Sequence, residues 1–172
     1  MSSSFNLVFF LTRLVSEDMF AQDSIDLLIN CGIQFEELNN KGIDDRLFAE
    51  LLVSSGLVLT DKVEWIAFHG GYDFGYLLKL LTSLALPPTQ PEYISLQNIW
   101  FPKIYDIKRI MSYSNRYGGL NPLAADIGVP RVGPMHQAGS DSLLTAAVFF
   151  KIKHIDFKDD LSDEKYLGTY LA

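Results

Sequence analysis

A short apolar segment at residues 64–69, Glu-Trp-Ile-Ala-Phe-His, constrains the fold of this chain most strongly. A nearly continuous apolar run of this length predicts a strand buried on both faces, as in a parallel or mixed sheet covered by helices. It ends in two glycines, and the helical spacing of Phe74, Leu77 and Leu81 follows. A second strand-to-helix transition is predicted at residues 104–111. The two units together predict an α/β fold.

The other apolar patterns predict one more strand and several helices. Residues 5–11 are rich in β-formers and carry no charge, so we expect a strand that requires a neighbour or a cover. Helices are predicted near residues 16–31, 43–55, 92–100 and 120–127 and after His136, with a loop at 39–42 and a charged surface tail after Asp156. With 172 residues, of which 48% are hydrophobic, the chain can bury the core of one domain.

The net charge of −7 argues against a protein that holds nucleic acid by a basic surface. It is compatible with a site where carboxylates bind divalent cations and the cations contact phosphates. Cys31 is the single cysteine, so no internal disulfide can form, which fits a reducing compartment. No apolar run has the length of a membrane span, and residues 5–11 lack the positive flank of a signal peptide.

Two acidic residues occur at or near the ends of the predicted strands. Asp73 follows the first strand directly, and in open α/β sheets sites gather where strands end and helices begin. Its alternative interpretation is a carboxylate that caps the next helix. Asp106 lies inside the second strand and is either a third site residue or a buried Asp satisfied by backbone groups. We favour the structural role for Asp106.

The segment at residues 135–144, Met-His-Gln-Ala-Gly-Ser-Asp-Ser-Leu-Leu, opens the last long helix with a polar cluster. A metal-dependent nuclease requires such groups: Asp141 would bind a cation, and His136 would take a proton from the attacking water. The alternative is a purely structural role as an ordinary helix start, with Ser140 as the cap and Asp141 favoured by the helix dipole.

Several segments together resemble the Caf/Pop-type deadenylase subunit of the eukaryotic Ccr–Not complex. The matching segments are residues 17–28, 48–52, 68–77, 101–108 and 136–145, which include Phe-His-Gly-Gly-Tyr-Asp at 68–73 and His-Gln-Ala-Gly-Ser-Asp at 136–141. They occur in the family's order and cover nearly everything from Ser16 to Tyr170. That family belongs to the exonucleases named for a D-E-D-D set of carboxylates, in the branch that also uses a His.

The resemblance implies a ribonuclease H-like fold, with a central mixed sheet flanked by helices. It implies 3′-to-5′ removal of poly(A) from messenger RNA with release of AMP, using Mg²⁺ or Mn²⁺. By matched position, Asp73 and Asp141 would be metal ligands, and His136 would activate water. The implied partners are poly(A), the Ccr–Not scaffold subunit, a second deadenylase subunit and regulatory adaptors, and the implied location is the cytoplasm and nucleus.

The chain departs from the family pattern at its beginning. Family members carry an Asp-x-Glu pair on the first strand, which completes the binding of two cations, but this sequence has no acid before Glu17. We therefore expect residues 1–15 to be a strand remnant and residues 16–172 a partial exonuclease domain without the first strands. Asp73 and Asp141 alone would bind one cation weakly. Gly70 also stands where the resemblance predicts Ser.

Three hypotheses follow from this departure. The first is a poly(A)-specific exoribonuclease. The second is a catalytically impaired relative that acts as a protein-binding module of the complex, with partner surfaces on the helices around residues 20–31 and 48–52. The third is an incomplete gene model with no stable product.

Overall fold

The computed structural model describes residues 21–171, which form eight α-helices, two β-strands and one 3-10 helix. In chain order the elements are α1 (Gln22–Asn30), α2 (Phe35–Lys41), α3 (Asp45–Ser54), β1 (Trp65–Ala67), α4 (Gly71–Thr82), α5 (Gln90–Trp100), β2 (Ile104–Asp106), α6 (Ile107–Met111), α7 (Leu120–Asp126), α8 (Ala138–Phe157) and the 3-10 helix Glu164–Tyr166. The predicted strand at residues 5–11 and the predicted helix start at Ser16 lie outside the described residues. None of the helices in this described part is long and apolar enough to cross a membrane.

The two strands pair in parallel, which confirms the predicted parallel sheet. Trp65 lies opposite Ile104, and Ala67 lies opposite Asp106. A C-terminal residue, Gly168, forms a parallel bridge with the middle residue of β2 and donates its N–H to the Ile104 carbonyl at 2.8 Å. Because β1 occupies one side of β2, the C-terminal segment covers the other side.

The side chains of the strands alternate between two apolar clusters, as the period of two in a strand requires. Trp65, Ala67 and Ile104 pack into a cluster formed mainly by α3, α4 and α5. Ile66 and Tyr105 pack into a second cluster formed mainly by α6, α7 and α8. The strand pair therefore lies between two helical layers, which is the predicted α/β arrangement.

Local sequence signals fix several of the helix ends. The Asp44 side chain accepts hydrogen bonds from the N–H groups of Arg46 and Leu47 at 3.1 and 3.0 Å, so α3 begins after a capping Asp. Gly32 and Gly128 have φ angles of +92° and +72° just beyond α1 and α7. Glycine adopts this left-handed backbone without steric cost, so both helices end near the predicted glycines.

The predicted loop at residues 39–42 is wrong, because α2 (Phe35–Lys41) extends through most of it. Asparagines favour turns, but the charges of this segment favour a helix. Glu36 and Glu37 lie in the first turn and Lys41 lies in the last, which suits the helix dipole. Lys41 Nζ also lies 3.0 Å from Glu37 Oε1, one turn earlier.

Two burial expectations are also corrected. β1 is half-buried rather than buried on both faces, because within residues 21–171 it pairs with β2 alone. The tail after Asp156 is not merely a solvated surface segment, since Leu161 and Thr169 are buried. Thr169 Oγ1 donates to Gln97 Oε1 at 3.1 Å, so the tail is attached to α5 by a buried hydrogen bond.

Candidate functional site

The junction between β1 and α4 is held by the carboxylate of Asp106, at the end of β2. This side chain is fully buried and accepts hydrogen bonds from four backbone N–H groups. Oδ1 accepts from His69 and Lys108 at 2.7 and 2.9 Å, and Oδ2 accepts from Gly70 and Tyr170 at 2.9 Å each. Such bonds compensate the loss of hydration of a buried carboxylate. The structural role that we favoured for Asp106 is therefore confirmed.

Asp73 lies in the first turn of α4, directly after this junction. The N-cap residue is Gly70, and no side chain caps the helix, so the capping interpretation of Asp73 is wrong. The Asp73 side chain is exposed, and it forms no hydrogen bond or ion pair with any described residue. The helix dipole favours a negative charge at this position, and the unpaired oxygens can still bind a cation.

The start of α4 is packed closely against its surroundings. The Tyr93 hydroxyl donates to the Gly71 carbonyl at 3.1 Å, and burial raises the pKa of Tyr93 above its usual value. A Cβ atom at Gly70 would lie 2.7 Å from the Cβ of Ala67, which is too close without a backbone shift. The glycine at position 70, where the resemblance predicts Ser, fits this close approach.

The second candidate ligand, Asp141, lies in the first turn of α8. Gln137 is the N-cap residue, and its carbonyl accepts the Asp141 N–H at 2.9 Å. Ser140 does not cap the helix, because its hydroxyl donates to the carbonyls of Pro134 and Gln137. The interpretation of Ser140 as the cap is therefore wrong, and α8 begins without a side-chain cap.

Asp141 forms an ion pair with Arg131, a residue of the loop between α7 and α8. Arg131 Nη2 lies 2.7 Å from Asp141 Oδ1, and the two side chains are 17% and 35% exposed. Asp141 Oδ2 has no hydrogen-bond partner among the described residues. One oxygen of this carboxylate is therefore held by an Arg, and the other is available to a ligand from outside the chain.

His136 lies in the same loop and is exposed, with a left-handed φ angle of 60°. Its neighbours are held on both sides. The Gln137 side chain donates to the Cys31 carbonyl at 3.0 Å, and the Asn121 side chain donates to the Met135 sulfur at 3.4 Å. The residues on either side of His136 thus contact other segments of the chain, whereas its imidazole forms no hydrogen bond with a described residue.

The donor chemistry of Asp73 and Asp141 fits a divalent cation such as Mg²⁺, which prefers carboxylate oxygens. Both carry oxygens without a protein partner in the described part, and α8 packs against β1, the strand that leads to Asp73. Residues 21–171 contain no group of three His, Cys, Asp or Glu side chains arranged to hold a metal ion. Two carboxylates supply only part of a coordination shell. The ligand roles of Asp73 and Asp141 and the base role of His136 stay predictions.

The sequence patterns do not single out Arg131 or the exposed tyrosines of α4. Arg131 precedes Asp141 by ten positions in an irregular loop, so no periodic signal pairs the two residues. Tyr72 and Tyr76 match a helical spacing, but only the structure shows that they are 80% and 75% exposed rather than part of the core.

The chain matches no protein-family model, but it is similar to curated proteins. The protein named Probable CCR4-associated factor 1 homolog 10, from Arabidopsis thaliana, is 52% identical over 156 residues, which are 90% of this chain and 56% of that protein. Poly(A) ribonuclease pop2 of Schizosaccharomyces pombe is 51% identical over 140 residues, which are 81% of this chain and 42% of that protein. The chain thus spans about half the length of these curated relatives.

Solved structures agree with these relatives. The structure of S. pombe Pop2p in its Mg²⁺- and Mn²⁺-bound form matches with a TM-score of 0.85 and 48% identity, over 90% of this chain and 62% of that chain. A chain in the structure of the yeast NOT1 MIF4G domain co-crystallized with CAF1 matches with a TM-score of 0.72 and 29% identity, over 90% of this chain and 62% of that chain. These likenesses confirm the predicted fold class, and the chain belongs to the family of CCR4-associated factor 1 and Pop2 proteins.

Proposed function

We propose that this chain acts as a poly(A)-specific 3′-to-5′ exoribonuclease, a deadenylase of the Ccr–Not complex that releases AMP. One observation carries the proposal. Asp73 and Asp141 lie in the first turns of α4 and α8 without a capping role, in a chain that is 48% identical to the Mg²⁺- and Mn²⁺-bound Pop2p. Carboxylates that do not cap their helices are available to hold a cation.

In the proposed reaction, a cation held by Asp73 and Asp141 would stabilise the charge that develops on the scissile phosphate. Asp73 and Asp141 lie in the first turns of α4 and α8, so helical backbone carries both carboxylates. The exposed imidazole of His136 would accept a proton from the attacking water. Asp106 stays outside the reaction, because all four of its hydrogen bonds are made to backbone groups.

The surface beside Asp73 favours the proposal of a single-stranded RNA substrate. Tyr72 and Tyr76 lie one helical turn apart on α4 and are 80% and 75% exposed. With about 100° of rotation per residue, Tyr76 lies between Tyr72 and Asp73 around the helix axis. Exposed aromatic rings offer faces on which unpaired bases stack. A stacking surface beside the carboxylate also lessens the need for a basic patch, which a net charge of −7 argues against.

The proposal is tested by incubating the purified chain with 5′-labelled oligo(A) in Mg²⁺ or Mn²⁺, beside Asp73→Asn. We expect stepwise shortening by the natural chain and none by the variant, because a neutral amide binds a cation far less strongly than a carboxylate. Oligo(U) of the same length tests the base preference. No shortening by a folded, monodisperse chain would contradict the enzyme proposal and favour the binding module.

Tyr72→Ala and Tyr76→Ala should each raise the KM for oligo(A) about tenfold with little change in kcat, since base stacking contributes to binding along the strand. The readout is initial rate against oligo(A) concentration. Tyr117→Ala is the matched control, because Tyr117 is also 80% exposed but lies between α6 and α7. An equal effect of all three variants would show that the α4 tyrosines are not a specific stacking surface.

The binding-module alternative is favoured by the apolar exposed face of α3. Leu47 and Leu51 are 49% and 56% exposed, whereas Phe48 and Leu52 are buried in the core. The likeness to a chain co-crystallized with the NOT1 MIF4G domain supports scaffold binding as part of the proposal. Binding of the purified MIF4G domain tests it directly. We also propose that the chain binds a second deadenylase subunit and regulatory adaptors. We propose that it is located in the cytoplasm and nucleus.

A further inference from the structure

The guanidinium of Arg131 contacts three separate parts of the fold with its three nitrogens. Nε donates to Asn121 Oδ1 on α7 at 2.8 Å. Nη1 donates to the Pro134 carbonyl in the loop and to Ser140 Oγ on α8, at 3.3 Å each. Nη2 pairs with Asp141 Oδ1 at 2.7 Å. The side chain thus links α7, the loop that carries His136 and the first turn of α8.

This arrangement differs from an ordinary surface ion pair. Arg131 is 17% exposed, so its guanidinium is largely sheltered from water, whereas Asp141 is 35% exposed and its carboxylate is partly open to water. The guanidinium is planar and rigid, and its orientation is fixed at every nitrogen by a different partner. Exposed ion pairs between flexible side chains have no such constraint and contribute little.

We propose that Arg131 is a positioning residue for the candidate cation site, an inference that rests on the proposed function. Its ion pair with Oδ1 orients the Asp141 carboxylate, while Oδ2 stays available to the cation. Polar partners of a ligating carboxylate set its orientation in metal sites generally. The hydrogen bond to the Pro134 carbonyl, two residues before His136, attaches the loop that carries His136 to the same guanidinium. One residue therefore sets the relative placement of the candidate ligand and the candidate base.

A competing arrangement has the opposite consequence. If the Arg131 guanidinium merely took the place of a cation at the Asp141 carboxylate, weakening this ion pair would let the cation bind more tightly. Arg131→Lys distinguishes positioning from competition. Lys keeps the positive charge but cannot contact α7, the loop and α8 at the same time, as the three guanidinium nitrogens do. Positioning predicts weaker cation binding in this variant, and competition predicts equal or tighter binding.

The test is a titration of the full 172-residue chain with Mn²⁺. Binding is measured as the loss of the free-Mn²⁺ signal in electron paramagnetic resonance. We expect Mn²⁺ binding that Asp141→Asn abolishes and that Arg131→Lys weakens about tenfold or more. Arg116→Lys is the matched control. Arg116 is 20% exposed and pairs with Asp126 and Asp156, so its replacement disturbs a similar ion pair away from the site. Its Mn²⁺ affinity should stay that of the natural chain.

Asn121→Ala provides a second variant in case Arg131→Lys does not fold. It removes the Nε partner and leaves the charge of Arg131 in place, and we expect Mn²⁺ binding to weaken about fivefold, the usual effect of one hydrogen bond. Unchanged or tighter Mn²⁺ binding in folded variants would overturn the inference, as would the absence of Asp141-dependent binding in the natural chain. Mn²⁺ binding that depends on Arg131 in a chain that does not shorten oligo(A) would uphold the inference and reject the proposed enzyme.

Discussion

Asp106→Ala lowers the free energy of unfolding by about 4 kcal/mol, because four backbone N–H groups lose their common buried acceptor; one of the four hydrogen bonds is buried and three are partly buried. This loss is a large share of the total stability of a domain of this size. The affected groups belong to the β1–α4 junction, to α6 and to the C-terminal segment, so the loss spreads over both helical layers. Urea denaturation followed by circular dichroism measures it, and Tm should fall by about 10 °C.

Asp163→Ala is the control for Asp106→Ala. Asp163 also accepts a backbone N–H, that of Lys165 at 3.0 Å, at the start of a short helix, but its side chain is 51% exposed. Water replaces the lost acceptor there, so we expect a much smaller change in the urea midpoint. Equal midpoints for the two variants would mean that the buried hydrogen bonds of Asp106 do not hold the junction together.

Asp141→Asn should reduce cation-dependent shortening of oligo(A) by a factor on the order of 100 or more, because an amide oxygen lacks the charge of a ligating carboxylate. The fold should persist. α8 has Gln137 as its N-cap residue with no side-chain cap, and loss of a partly exposed ion pair costs about 1 kcal/mol or less. The measurement is the single-turnover rate of shortening, beside the circular dichroism spectrum and Tm of the same sample.

Asp126→Asn controls for the loss of an Asp–Arg pair as such. Asp126 pairs with Arg116 at 2.8 Å and is 68% exposed, and its replacement should leave the shortening rate unchanged. Unfolding of Asp141→Asn, or a normal shortening rate in that variant, would show that Asp141 is a structural residue of the helix start and not a ligand.

The fold class follows from local apolar patterns. The apolar runs before Asp73 and at the start of β2 predict strands, and the glycines after α1 and α7 predict helix ends, because period and backbone freedom are properties of a short segment. Burial is less local. The same run that predicts a doubly buried strand forms the half-buried β1, since the number of neighbouring strands is decided elsewhere in the chain.

The candidate site divides in the same way. His136 and Asp141 are visible from the sequence because their chemistry is unusual at a helix start, and Asp73 because it directly follows a strand. The short segments around each acidic residue do not show which carboxylate is structural and which is available to bind a cation. Asp106 binds N–H groups 37 and 64 positions away in the chain, whereas Asp73 binds none of the described residues.

The sequence by itself determined the α/β class, the family resemblance and the residue types available for cation chemistry, because these depend on short-range periodicity and side-chain identity. The tertiary structure alone decided that Asp106 is a buried acceptor, that Tyr72 and Tyr76 are exposed, and that Arg131 holds Asp141. The physical reason is common to all three. Hydrogen bonds and burial depend on which distant segments pack together, and that packing exists only once the two helical layers have closed around the strands.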